Sequence, residues 1–176
     1  MPRVGYVPRD LRQPEDLVAA IRARRGGELL NLDRTLLHSP PLAAGWNAFL
    51  KAVRNDLLLD VHLRELAMCA VASLNGADYE FRHHAPVFIK AGGTTAQVEA
   101  LRDPLRAADD EALFDPTSRA ALRLTIEMTR AVQVSDSTFA AVRAHLDERC
   151  TVELVGVIAT YNMVSRFLVA LGVEPE

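Results

Sequence analysis

Between Leu74 and Phe88 the chain reads LNGADYEFRHHAPVF, which crowds Asp78, Tyr79, Glu80, His83 and His84 together between two apolar runs. Glu80 and His84 are four residues apart, so on a helix they share one face. A carboxylate beside an imidazole fixes its tautomer and raises its basicity, which suits a general acid or base near neutral pH. Tyr79 and His83 repeat that spacing one step round. Such Glu–His pairs also occur as solvated surface pairs, and the spacing alone leaves both readings open. Upstream, Glu65 lies four residues before Cys69 among Leu63, Leu66, Met68 and Val71. A carboxylate buried in that company needs a partner. With one it could hold or deliver a proton; the plainer alternative is pairing with Arg64. Cys69 reads as a small core hydrophobe rather than a nucleophile.

Near the C-terminus, Tyr161, Asn162 and Arg166 are the polar exceptions in an apolar run. Tyr161 and Ser165 share a helix face, as do Asn162 and Arg166. A buried Arg166 would require a carboxylate such as Glu65 or Glu80. An Arg166 open to a ligand could clamp an anionic substrate, and a helix-end arginine on the surface is the alternative. A metal centre is not expected. Asp78, Glu80, His83 and His84 have ligand chemistry, but adjacent histidines on a helix diverge by about 100°.

The elements that must position these residues read as helices throughout, and the fold class is all-α. Residues 1–13 hold two prolines and no period, which predicts an extended arm ahead of a single helical domain over 14–176. Glu15 and Asp16 follow Pro14 as a helix start, and Gly26-Gly27 ends that helix. NLDRTLLHS is a short helix before Pro40. In the next, Leu42, Trp46, Phe49, Leu50 and Val53 form one stripe. DVHLRELAMCAVASLNG is the strongest helix, broken at Asn75-Gly76. The following helix contains Pro86, which predicts a kink or a new turn. Thr94 and Gln97 make a capping box, and RDPLRAADDEALFDP reads as a polar connector. Pro116-Thr117 opens a long helix, and Ser135 or Asp136 caps another. The closing run TVELVGVIATYNMVSRFLVAL is apolar nearly all round, which suits a core or a subunit interface.

Composition narrows the function classes. A formal charge of -3 with 24% charged residues gives no basic surface for nucleic acid or membrane headgroups. Two cysteines without a CxxC make no disulfide framework, and a reducing cytoplasm is the expected setting. No leader-like apolar segment opens the sequence, and no membrane span is expected.

LRELAMCAVASLNGADYEFRHHAPVFIKAGGT resembles the central helices of the carboxymuconolactone decarboxylase and alkylhydroperoxidase D-like family. VELVGVIATYNMVSRFLVALGVEP is similar to the closing helix of one of its branches. The peroxidase branch carries a glutamate, a CxxC, and a histidine after three more residues. Glu65 matches that glutamate and His84 that histidine, but the cysteine positions fall on Ala77 and Glu80. Without an attacking and a resolving thiol, dithiol peroxidase chemistry is not implied. The decarboxylase branch implies an enzyme that needs no cofactor or metal and acts on a small lactone or carboxylated substrate. On that resemblance His84 is the acid or base, Glu80 its orienter, Glu65 a second proton carrier and Arg166 the anion clamp. Tyr79, His83, Tyr161 and Asn162 line the pocket. The resemblance also implies a homo-oligomer, as dimer, trimer or hexamer. The alternatives are a non-catalytic helical oligomer that binds a small ligand, and a residual peroxidase acting through Cys69.

Overall fold

The computed structural model describes residues 1–176, and every element in it is helical. Ten helices follow in order: α1 (Glu15–Arg25), α2 (Asn31–Leu36), α3 (Pro40–Asn55), α4 (Val61–Leu74), α5 (Asp78–Lys90), α6 (Thr95–Ala100), α7 (Pro104–Ala107), α8 (Pro116–Arg130), α9 (Asp136–Arg143) and α10 (Glu148–Leu171). Their contacts divide the chain into two compact units. One comprises Met1–Leu57 with Leu168–Glu176, the other Leu58–Phe167.

In the first unit, Glu15 and Asp16 occupy the positive end of α1, and Gly26 closes it in the left-handed conformation at φ 81°. The arm before α1 is anchored rather than loose. The Arg3 N–H donates to Leu171 O at 2.9 Å, Arg34 Nε donates to Val7 O at 2.7 Å, and the N-terminal ammonium meets Glu174 at 2.8 Å. Helix α3 buries Ala43, Trp46, Leu50 and Val53. Leu42 and Phe49, expected on the same stripe, are about half exposed at 47% and 50%. Ala43 takes the inward position instead, because the buried face follows 43, 46, 50 and 53 at helical spacing.

In the second unit α4 is the central element. Asp60 caps it, its Oδ1 accepting from the N–H groups of His62 (2.9 Å) and Leu63 (3.3 Å). Every residue from Leu63 to Ala72 is buried, so this stretch of α4 has no solvent face. It packs mainly on α5 and α8, with α7 and α9 flanking α8. Pro86 neither ends α5 nor starts a new helix: the element runs unbroken from Asp78 to Lys90, with Pro86 on its exposed side. The capping box at Thr94 and Gln97 is formed. The expected connector after it contains a helical turn, α7, which Asp103 caps through the Arg106 N–H with Pro104 in first position. Helix α10, of 24 residues, is long and apolar enough by length and composition to cross a membrane, though half of its most apolar stretch is buried inside the fold. Its polar side chains Asn162 and Ser165 hydrogen-bond to neighbouring helices within the unit.

A buried glutamate–histidine couple as candidate active site

The bend between α4 and α5 spans only Asn75, Gly76 and Ala77. Gly76 takes φ 64°, a left-handed conformation that side chains resist, and the Ala77 N–H donates to Ala72 O at 2.8 Å. So short a connection folds α5 back along α4 as a helical hairpin. That brings His84 of α5 against Glu65 of α4: Nδ1 lies 2.6 Å from Glu65 Oε2. Both residues are buried, Glu65 at 3% and His84 at 9% exposure. A carboxylate can only accept, so Nδ1 carries the proton in this contact. The Nδ1 partner is thus Glu65, across the hairpin, where spacing had pointed to Glu80, one turn earlier, as the orienter. Arg64 Nε reaches Glu65 Oε1 at 3.4 Å, so the alternative partner is present as well. Sequence spacing links only residues on one helix; Glu65 and His84 meet through tertiary pairing.

Glu80 is also buried, at 2% exposure, and its Oε2 accepts from the Ser165 hydroxyl of α10. The Tyr161 ring stands edge-on to His84, with centroids 4.9 Å apart and planes at 89°. Two helices and α10 therefore converge on one small region holding Glu65, Glu80, His84, Tyr161 and Ser165. Ser165 is the member of this cluster that the sequence left unmarked, apart from its sharing a face with Tyr161.

The remaining candidates are placed differently. Asn162 is a junction: its Nδ2 donates to Thr129 Oγ1 and Ile158 O, each at 3.0 Å, and its Oδ1 accepts from Asn75 at 3.2 Å. Arg166 is exposed, and its Nη1 donates to Asn162 O at 2.9 Å and Oδ1 at 2.6 Å. Arg166 is thus a surface arginine held by an amide, and the carboxylate that a buried arginine would need is not called for. Tyr79 and His83 stack on each other at 4.4 Å, and His83 Nδ1 lies 2.8 Å from Tyr79 O, a pair turned along its own helix. No three His, Cys, Asp or Glu side chains are grouped to hold a metal ion.

The thiols are poorly disposed for redox work. Cys69 is wholly buried, and burial first, then the nearby Glu65 and Glu80 carboxylates, push its thiol far up. Cys150 lies in the first turn of α10, and burial together with Asp147 raises its thiol too. Neither is in a disulfide. A thiolate attacking peroxide would have to form against these shifts.

The wholly helical fold is shared with alkylhydroperoxidase D-like cores. A peroxidase-related protein with an alkylhydroperoxidase AhpD core, from Ralstonia eutropha JMP134, superposes with a TM-score of 0.83 at 20% identity, over 99% of this chain and 92% of that one. A cysteine-to-alanine form of the debrominase Bmp8, in complex with 2,3,4-tribromopyrrole, gives a TM-score of 0.79 at 18% identity, over 100% and 94%. At such identities the likeness is one of fold. The family model for the carboxymuconolactone decarboxylase family matches residues 40–127, half of the chain, a stretch that contains Glu65, Glu80 and His84. Uncharacterized protein YdfG of Bacillus subtilis (strain 168) is 30% identical over 111 residues, 62% of this chain and 73% of that protein. The chain belongs to the carboxymuconolactone decarboxylase family.

Proposed function

We propose that the protein is a cofactor-free enzyme of proton transfer or decarboxylation, acting on a small carboxylated or lactone substrate. The observation that carries this reading is the 2.6 Å couple between His84 Nδ1 and Glu65 Oε2 in a nearly dry setting. Glu65 sets the tautomer and stabilises the imidazolium; His84 Nε2 moves the proton. About 11% of the His84 side chain remains exposed, and a small substrate reaches the ring there. In decarboxylation the bond to the carboxylate carbon breaks and carbon dioxide leaves. The electron pair passes into the conjugated enolate, and His84, protonated from solvent at Nε2, delivers that proton to the α-carbon from which carbon dioxide has left. Arg166, with Nη1 already fixed by Asn162, has donors on Nε and Nη2 for the substrate's carboxylate. The raised Cys69 thiol and the alanine and glutamate at the family's cysteine positions favour this chemistry over a peroxidase.

The test is a screen of lactone acids and β-keto acids for carbon dioxide release and for deuterium uptake from solvent. Wild type should turn over at least one, and His84→Ala should lower its rate by about 10²–10⁴-fold, the contribution of a positioned acid–base group. No turnover across the set, or an undiminished His84→Ala, overturns the reading. Assembly into a homo-oligomer is the companion proposal. Val152 and Met163 are exposed on one face of α10, with exposed Gly156 and Ala159 between them. Light scattering that finds a monomer at micromolar concentration refutes it.

A further inference from the structure

We infer that Ser165 is a positioning residue that holds Glu80 as an ionised carboxylate beside His84. The hydroxyl of a buried serine in a helix ordinarily donates to the carbonyl four residues back. Thr125 and Thr160 do so here, donating to Ala121 O at 2.7 Å and Gly156 O at 2.6 Å. Ser165, wholly buried, sends its proton across to Glu80 Oε2 on another helix. A hydroxyl donated to a carboxylate favours the charged form, and in a dry site it replaces solvation the carboxylate has lost. The same chemistry is visible at Glu127, whose carboxyl is held below the usual range first by the Thr138 hydroxyl and then by the Ser135 N–H.

The surroundings give this donation a purpose. Ser165 of α10 donates to Glu80, His84 lies one turn further along the same helix with Tyr161 edge-on to it, and the charges of Glu65, Glu80 and Arg102 are all felt at Cys69 of α4. Two carboxylates whose charges both reach one buried thiol disfavour each other's ionisation. The partners separate them: Glu65 is fixed by His84 and Arg64, Glu80 by Ser165. An anionic Glu80 one turn from His84 favours the imidazolium formed when the ring takes a proton. Ser165 thereby acts on the proposed reaction through Glu80, without touching the substrate.

This inference rests on the reading of the site proposed above, but its test needs no substrate. The carbonyl stretch of a protonated Glu80 is followed by infrared spectroscopy against pH, isolated as the difference between wild type and Glu80→Gln. In wild type Glu80 should be deprotonated at neutral pH. In Ser165→Ala its protonation midpoint should move up by about one to two pH units, the equivalent of one hydrogen bond to a charged group. A protonated Glu80 in wild type at pH 7 overturns the inference, whether or not the variant folds; so does a midpoint unchanged in a folded Ser165→Ala. An inactive wild type showing the expected shift refutes the proposed reaction and upholds the role of Ser165. Turnover with an unmoved midpoint does the reverse.

Discussion

If Glu65 and His84 form one buried unit, their contributions to stability must be coupled, and a double-mutant cycle measures by how much. Each is replaced by leucine, singly and together. The contact is 2.6 Å long, and the two side chains are exposed by only 4% and 11%, so solvent screens it little. A hydrogen bond to a charged group in such a setting contributes about 1.5–3 kcal/mol. Removing one partner also strands the other: Glu65→Leu deprives both His84 Nδ1–H and Arg64 Nε of their acceptor. Each single substitution should therefore destabilise by roughly 3–5 kcal/mol. The double variant strands no charged partner across the hairpin, so it should fall at least about 2 kcal/mol short of the sum of the singles. Urea unfolding at pH 7 is the assay, read by far-UV ellipticity. The fluorescence of the single tryptophan is unsuitable because Trp46 lies in α3, outside the unit spanning Leu58–Phe167. A coupling energy within about 0.5 kcal/mol of zero, as for residues that do not touch, would refute the couple and with it the acid–base reading.

Three further outcomes are expected. Glu127 and Asp147 have depressed carboxyl pKa values, the first through the Thr138 hydroxyl and the second through the Cys150 N–H. A depressed folded-state value gives stability that is present above the unfolded pKa and is lost as pH falls through the folded one. The urea midpoint should accordingly be flat down to about pH 5 and decline below about pH 4, with a shallower decline in Glu127→Gln. Iodoacetamide at neutral pH should leave Cys69 unmodified in the folded protein, by mass spectrometry, and Cys69→Ala should leave turnover of any substrate found intact; loss of turnover would revive the thiol reading. Asp60→Ala should destabilise by about 1 kcal/mol in the same urea assay, since it removes the acceptor for the first N–H groups of α4.

Local chemistry was legible in the sequence wherever it depended on neighbours along the chain. Gly26 as a helix stop, the Thr94–Gln97 box, Ser135 as a cap and the break at Asn75-Gly76 all follow from residues within one turn. Errors arose where the answer depended on what a helix packs against. Leu42 and Phe49 look like core residues by type, but the face of α3 that turns inward is fixed by its neighbours, and alanine serves there as well as leucine. Helix α7 is a single turn of four residues, too short to show a period. At the site, residue types named Glu65, Glu80 and His84, and the contact between Glu65 and His84 stayed hidden because a four-residue spacing sees one helix at a time. A usable signal existed: a lone carboxylate in the apolar run of α4 requires a partner, and a tight hairpin supplies one from comparable distance beyond its bend. Nothing similar announced Ser165, since a helical serine ordinarily serves its own backbone.

The three-residue bend at Asn75–Ala77 also fixes a rotational phase. Each residue along α5 advances the helix by about 100°. One residue inserted between Gly76 and Asp78 would swing every later side chain of α5 through that angle while leaving the helix itself intact. His84 would leave Glu65 and Glu80 would leave Ser165 in the same motion, so two contacts made on different partner helices depend on the length of one short turn. Such an insertion variant would keep the helical signature of the protein and lose both couplings together, as a key cut one notch out of step still fits the barrel but lifts no pin.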